Sequence, residues 1–304
     1  MRSRPIQLLS LLLAAPLPAQ WDSIPHDPTK PVEAEGFLVL HQTPTGWHVF
    51  SALAQEWMKL SGPGGQLVGT GDWTVLIREG ADFRAYSARH NDSAVLKNVV
   101  PGGTFVDDDV ALVLDETDPD SPAAWAYSAQ TNTWADAGLT NQVTPTDLAI
   151  SRFVIGLRDE VNYWGFAART GTWELFTIDQ MGDDPLADGN VVVANQRNSQ
   201  SGTGIRKVAA FSGVRGVWSL SPTYGAASPL LLDHNVAAIQ AEVGANTFQA
   251  CAFSAYTAQW VSSNANHTAG QASLQVGDNW VRVQDGVGGP VSYTHLTLPT
   301  IYSV

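Results

Sequence analysis

The sequence of 304 residues predicts an all-β fold made by repeating one supersecondary unit. Three observations carry that reading. An aromatic residue followed by two small residues and, seven positions on, by tryptophan recurs as FSALAQEW (Phe50 to Trp57), YSAQTNTW (Tyr127 to Trp134), FAARTGTW (Phe166 to Trp173), FSGVRGVW (Phe211 to Trp218) and FSAYTAQW (Phe253 to Trp260). A sixth copy, YSARHNDS from Tyr86, has lost its Trp, and the aromatic positions fall at intervals of 36, 41, 39, 45 and 42 residues. Second, runs of alternating apolar residues begin at Phe37, Trp73, Val110, Phe153, Val191, Val236 and Trp280, at the same period of about forty. Third, only 15% of residues are charged while Gly, Ser, Thr, Ala and Val abound, a composition suited to short strands joined by tight turns.

Along the chain, residues 1–19 read as a secretory signal peptide. Arg2 and Arg4 form the basic region, Leu8 to Leu17 the apolar core, and Ala19 the small residue before cleavage. The apolar run is too short to span a bilayer. Residues 20–35 form an N-terminal extension, and the repeats occupy 36–289.

Each repeat resolves into four strands. In the third unit Thr104 to Val106 is the first strand, Asp107 to Asp109 a tight turn, and Val110 to Glu116 the second strand. Asp118 to Pro122 form a loop, Ala123 to Ala129 the third strand, Thr131 and Asn132 a turn, and Trp134 to Leu139 the fourth. The residues before the second strands (Gly36, Asp72, Asp109, Arg152, Asn190, Asn235 and Asn279) are mostly of the kind that tolerate left-handed φ or bond their own backbone. Four antiparallel strands per unit, repeated radially, make a β-propeller, here with six recognisable blades and an incomplete seventh. In that fold the repeated aromatics Phe50, Trp57, Tyr86, Tyr127, Trp134, Phe166, Trp173, Phe211, Trp218, Phe253 and Trp260 are expected to pack between blades.

YSAQTNTW resembles the third and fourth strands of the kelch repeat, which carry Y-x-x-x-T-N-T-W. Tyr127, Thr131, Asn132, Thr133 and Trp134 match, and FAARTGTW is nearly as close. Kelch second strands end in a glycine pair, whereas here they end in LDE, LRD, ANQ and IQA. The resemblance therefore implies a kelch-like propeller. The G-H and W-D marks of WD40 repeats are absent, and Thr170-Gly171 stands too near Trp173 for the quinoprotein spacing.

The tail from Val291 to Thr300 resembles an in-frame translation of a transposase-type sequencing adapter. Residues 290–304 are accordingly expected to be an artefact, with the native chain continuing past about Gly289. His295, Tyr293 and Tyr302 then carry no functional weight.

The formal net charge of -13 disfavours nucleic acid and anionic membranes as partners, and is compatible with neutral glycans, cationic ligands or divalent metal. Cys251 is the single cysteine, so no internal disulfide exists, and its strand-like surroundings predict a buried, inert thiol. A galactose-oxidase-like copper centre would need a cysteine beside a tyrosine, and Cys251 is the sole candidate. The histidines at 26, 41, 48, 90, 234 and 267 share no spacing, and no nucleophile elbow, phosphate loop or zinc helix occurs.

Ligand contacts are therefore expected in the irregular loops at 116–122, 195–204, 242–246, 62–66 and 182–184. Glu116, Asp118 and Asp120 offer oxygens for Ca²⁺, although without the spacing of a calcium loop, and Arg197, Asn198 and Gln200 offer hydrogen bonds to a sugar or carboxylate. No other cofactor and no metal site is expected. The functional expectation is a secreted, periplasmic or cell-surface binding or scaffold module for an extracellular or periplasmic protein or glycan. The alternative is a carbohydrate-active hydrolase or lyase, or the propeller part of a larger enzyme.

Overall fold

The computed structural model describes residue 30 and residues 32–118, 122–178, 182–197, 205–222, 230–244, 247–263, 266–268 and 272–285. The signal-peptide and adapter readings lie outside these residues. The described chain is a β-propeller. Blade 1 comprises Val32–Glu35, Leu38–Thr43, Gly46–Ser51 and Glu56–Lys59. Blade 2 comprises Gln66–Thr70, Thr74–Glu79, Asp82–Ser87 and Asp92–Leu96. Blade 3 comprises Pro101–Asp107, Val110–Asp115, Ala123–Ser128 and Thr133–Asp136. Blade 4 follows a single 3₁₀ turn, Pro145–Asp147, with Leu148–Ser151, Val154–Asp159, Asn162–Ala167 and Thr172–Thr177.

Blade 5 is Leu186–Asp188, Val191–Arg197, Ile205–Ser212 and Val217–Leu220. Blade 6 is Leu231–Asp233, Val236–Gly244, Thr247–Ser254 and Gln259–Ser262, with the short strand His267–Thr268 pairing its third strand. Blade 7 has two described strands, Ala272–Gly277 and Trp280–Asp285. Each sheet is an antiparallel meander in chain order. No described helix is long and apolar enough to cross a membrane.

Several expected boundaries move. Phe37, Trp73 and Phe153 stand in the turn ahead of the second strand, which starts at Leu38, Thr74 and Val154. The rings of Phe37 and Trp73 stack there with centroids 3.8 Å apart, so turn packing and not strand alternation fixes them. The fourth strand of blade 3 ends at Asp136, short of Leu139, because the Asp136 carboxylate takes the Gly138 N–H and Gly138 turns the chain at φ +66°.

The core is a series of slabs between neighbouring blades. Leu38, Leu40, Val49, Val75, Ile77 and Tyr86 fill the slab between blades 1 and 2. Leu76, Phe83, Val113 and Tyr127 fill the next, and Leu112, Ile155, Leu157 and Phe166 the one after. Phe211 packs between blades 4 and 5, and Phe253 between blades 5 and 6. Tyr86, Tyr127, Phe166, Phe211 and Phe253 thus face the preceding blade. Tyr86, Tyr127, Phe166, Phe211 and Phe253 are fully or almost fully buried. Phe50 is only half-buried. Each ring that has a Trp partner meets it across the hairpin, centroids 5.2–5.6 Å apart and planes tilted by 47–54°.

The two small residues after the aromatic do more than save space. In blades 1, 2, 3 and 5 the first is a buried serine whose hydroxyl donates to the carbonyl of the second small residue one blade on: Ser51 to Ala88 (3.1 Å), Ser87 to Ala129 (2.6 Å), Ser128 to Ala168 (2.5 Å), and Ser212 to Ala255. The same oxygens accept the N–H of Ala54, His90, Thr131 and Arg215 within their own hairpins. The indole N–H of the repeated Trp reaches back to the preceding blade: Trp134 to the Ala94 carbonyl, Trp173 to Ala135, Trp218 to Glu174 and Trp260 to Ser219, at 2.9–3.2 Å. Leaving a buried hydroxyl unpaired costs free energy, so the serine rungs, with the partly exposed indole bonds beside them, favour one stacking register of the blades.

Candidate functional site

Seven first-to-second-strand turns lie at one edge of the blades: Gly36-Phe37, Asp72-Trp73, Asp108-Asp109, Arg152-Phe153, Gly189-Asn190, His234-Asn235 and Asp278-Asn279. Successive turns are clipped together. The N–H of the second turn residue donates to the carbonyl of the first turn residue one blade on, from Phe37 to Asp72, Trp73 to Asp108, Asp109 to Arg152 and Asn190 to His234, at 2.6–3.0 Å. Side-chain amides extend the series from Asn190 to Asn235 (2.8 Å) and from Asn235 to Asn279 (3.0 Å). The turns approach so closely that a Cβ on Gly36 would sit 2.4 Å from the Asp72 Cα, and one on Gly189 would sit 2.4 Å from the His234 carbonyl oxygen. Glycine at positive φ is what these contacts require.

This rigid rim carries charge of mostly one sign. Glu35, Asp72, Asp107, Asp108, Asp188, Asp233 and Asp278 stand at or next to the turns, against Arg152 and His234. Burial raises the Asp108 carboxyl above its usual range, and repulsion from Asp72, Asp107 and Asp109 adds to this, while Arg152, 3.6 Å away, opposes it. The His234 imidazole is pushed up by its bond to Asp233 (Nδ1 to Oδ1, 2.7 Å), despite some burial, and by the fields of Asp188 and Asp278, the latter 3.2 Å from Nδ1. One ligand atom each from Asp188, Asp233 and His234 lies within 4.8 Å of the others, the spacing of a three-ligand metal set. The arrangement serves equally as an ion-pair cluster joining blades 5, 6 and 7. The pattern that could have found it is the repeat itself: Asp188 and His234 are far apart in sequence but occupy neighbouring turn positions.

One rim position is tied inward. Asp109 is fully buried and takes two parallel bonds from Arg89, Nε and Nη2, each at 2.9 Å, and a third from Gln130. The Arg89 guanidinium lies over the Trp73 ring, 3.9 Å from its centroid. This group links blades 2 and 3 and is held within the protein.

The described parts of the loops expected to bind ligand carry hydrogen bonds within the protein. In blade 3 the Asp115 carboxylate takes the Thr117 N–H (2.9 Å) and hydroxyl (2.5 Å), and Thr117 in turn accepts from the Val100 N–H. Glu116 lies over Gly102, so close that a Cβ there would be 2.1 Å from its Oε1. Glu116 and Asp118 are described and Asp120 lies outside the described residues. Arg197 ends the second strand of blade 5, while its side chain and all of Asn198 and Gln200 lie outside the described residues.

The 182–184 segment is pinned by Arg158, which bonds the Gly182 carbonyl (3.0 Å), Asp147 (2.5 Å) and Asp184 (2.8 Å). Tyr163 donates to the Asp183 carbonyl, and burial pushes its phenol up to about 12. The 62–66 loop is held by the Trp47 indole on the Gly65 carbonyl and by Glu79 on the Gly62 N–H.

The histidines have separate surroundings. His41 and His48 face each other across blade 1, where burial, Lys59 and His41 lower the His48 pKa. His90 bonds the Gln130 carbonyl of the next blade. Cys251 is fully buried, its Sγ 3.1 Å from the Ser262 hydroxyl.

No protein-family model matches the chain, and no curated protein sequence matches it. Solved structures similar to it include apo AztD from Citrobacter koseri, 13% identical, TM-score 0.33, over 84% of this chain and 80% of that one. The WD40 domain of SCAP from fission yeast is 10% identical, TM-score 0.28, over 81% and 79%. PorZ, a bacterial surface component of the type-IX secretion system of Porphyromonas gingivalis, is 8% identical, TM-score 0.30; the match covers 84% of this chain but only 37% of PorZ.

Proposed function

We infer that this chain is a non-catalytic β-propeller binding module, kelch-like in its hairpins, that works outside the cytoplasm and uses the acidic turn rim to hold a positively charged segment of an extracellular or periplasmic protein. The observation that carries this reading is the rim itself. Among the described residues seven carboxylates from six blades stand at or next to these turns, gathered around Asp108 and around His234, with Arg152 and His234 beside them. A preorganised field of one sign attracts the opposite charge and fixes its orientation. Neutral glycans gain nothing from such a field, so a basic polypeptide fits better than a sugar. The signal-like N-terminus supports export, and the loops bonded within the protein elsewhere support a role in binding over catalysis.

The test is binding of a lysine- and arginine-rich peptide, measured by calorimetry at low and high salt, against the triple variant Asp72→Asn, Asp108→Asn, Asp233→Asn. Affinity is expected to fall steeply with salt and to drop at least tenfold in the variant. Salt-independent binding, or binding unchanged in the variant, would remove the rim from the function. Turnover of a glycan polymer that survives purification would replace this reading with the carbohydrate-active enzyme.

A further inference from the structure

Blades 2 and 4 carry an arginine at the same place in the repeat. Arg78 and Arg158 are each the fifth residue of a second strand, Thr74–Glu79 and Val154–Asp159, and each stands opposite an aromatic residue of the third strand, Phe83 or Tyr163. Blade 4 shows what such an arginine takes hold of. Arg158 binds the Asp147 carboxylate (2.5 Å), the Asp184 carboxylate (2.8 Å) and the Gly182 carbonyl (3.0 Å). Asp147 precedes the first strand of its own blade, and Gly182 and Asp184 precede that of blade 5.

Around Arg78 both carboxylates are replaced. By strand register Gln66 stands where Asp147 does, and Gly103 of blade 3 stands where Asp184 of blade 5 does. Arg78 donates through Nε to the Gly80 carbonyl (2.9 Å), and its Cζ lies 5.8 Å from the centre of the Phe83 ring. No carboxylate among the described residues forms an ion pair with it. A cleft of about 230 Å³ opens here between blades 2 and 3, lined by Arg78, Gln66, Val68, Pro101, Gly102 and Gly103 among others. Each wall carries one residue outside its ladder, Val68 in blade 2 and Gly102 in blade 3, so both first strands are irregular where the cleft opens. The cleft lies at the start of these first strands, and the acidic turns lie at their end.

We propose that this cleft binds a small organic monocarboxylate, whose carboxylate bonds the Arg78 guanidinium in the place that Asp147 and Asp184 take on Arg158, and whose apolar body lies on Val68 and Pro101. The Gly80 bond occupies Nε and leaves the two terminal nitrogens for the ligand. A planar guanidinium pairs with a carboxylate through two parallel bonds, which fixes orientation as well as charge. The size limit follows from the cleft, which is smaller than the about 300–1,000 Å³ of pockets for drug-sized molecules. The charge limit follows from the neighbours. Glu79 adjoins Arg78 in sequence and Glu116 lies over Gly102, so a second negative charge on the ligand meets repulsion.

Calorimetry with sodium butyrate, its neutral amide butyramide and the dianion succinate tests this. Saturable one-to-one binding of butyrate is expected, with butyramide and succinate each weaker by about tenfold or more. Arg78→Gln should weaken butyrate binding by a similar factor. Gln66→Asp recreates the blade 4 arrangement, so it should also remove butyrate binding while keeping the thermal midpoint at or above that of the parent protein. That second variant separates loss of the site from loss of the fold. The rim variant Asp72→Asn, Asp108→Asn, Asp233→Asn should bind butyrate unchanged, because its residues stand at the other end of the blades. Absence of saturable binding, equal affinity for butyramide or succinate, or affinity indifferent to both Arg78→Gln and Gln66→Asp would overturn the proposal.

Discussion

Replacing Ser128 by alanine removes one hydroxyl and breaks three bonds at once. The bond donated to the Ala168 carbonyl (2.5 Å) joins blade 3 to blade 4, and those accepted from the Gln130 (3.0 Å) and Thr131 (3.1 Å) amides shape the hairpin. The two hairpin amides sit in a partly buried turn and can be rehydrated. Ser128 and Ala168 are wholly buried, so the carbonyl loses its partner where water does not enter. Leaving a buried acceptor unpaired costs about 1–3 kcal/mol. For a domain of this size each kcal/mol lowers the melting midpoint by about 2–4 °C, so the expected fall is about 2–12 °C. Ser254→Ala is the internal control, with the same residue at the same repeat position but no partner, and its expected change is within about 0.5 kcal/mol of zero. Urea denaturation with the slope held constant between variants measures both. Equal losses for the two substitutions would refute the rungs as a source of stability and reduce the serines to small residues that allow close packing.

Three further outcomes follow from the same geometry. Gly165→Ala would place a Cβ 2.5 Å from the Phe211 ring, and since that ring is fully buried it has nowhere to go; a loss of about 1–3 kcal/mol is expected in the same denaturation assay. His234 has a folded pKa above its usual 6.5, so its contribution is complete below about pH 6.5 and is lost as pH rises through the folded value. His234→Asn, which keeps a residue tolerant of the positive φ here, should cost stability at pH 6 and little at pH 9, by under about 1 kcal/mol because the pair is partly exposed. Burial pushes the phenols of Tyr86 and Tyr163 up to about 12 and Tyr127 well above its usual range, so ultraviolet titration of the folded protein should show three tyrosines that stay protonated at pH 11.

The architecture was legible because the repeat writes it repeatedly. Val110, Val191, Val236 and Trp280 begin second strands as the alternation predicts, and the period places all seven. The rungs were not legible, because a serine after an aromatic looks the same whether its hydroxyl bonds a neighbouring blade or merely fits. A trace was present. Where the aromatic is Tyr86 or Tyr127, the residue five positions on is Asn91 or Asn132, and each phenol donates to that amide oxygen at 2.7 Å. Where the aromatic is Phe166 or Phe211, the same left-handed turn position holds Gly171 or Gly216. The rim escaped notice for a different reason. Its carboxylates come from turns about forty residues apart, and they meet only when the blades are stacked. The polar loops of blade 3, conspicuous in sequence, spend their oxygens on their own backbone, as Asp115 does on Thr117.

Comparing the copies within one chain separates what holds the ring from what the ring holds out. The aromatic and the serine after it vary little, and each variation has a local account: Ala167 replaces serine in blade 4, where Gly213 in the next blade already sits so close to Val154 that an added Cβ would lie 2.3 Å from its Cγ1. The first turn position, by contrast, runs Gly36, Asp72, Asp108, Arg152, Gly189, His234 and Asp278. That position uses its backbone carbonyl as the clip, a group every residue has, so the side chain is free to vary except at Gly36 and Gly189, where close contact and positive φ require glycine. Acid gathers around it in blades 2 and 3, where burial, and repulsion from Asp72, Asp107 and Asp109, raise Asp108. A fold does not need that repulsion. Asp108→Asn should therefore stabilise the protein at neutral pH, with the gain shrinking as pH falls through the raised carboxyl value, and should at the same time weaken whatever cation the rim holds. A variant that gained stability and kept full binding would place recognition elsewhere on the molecule.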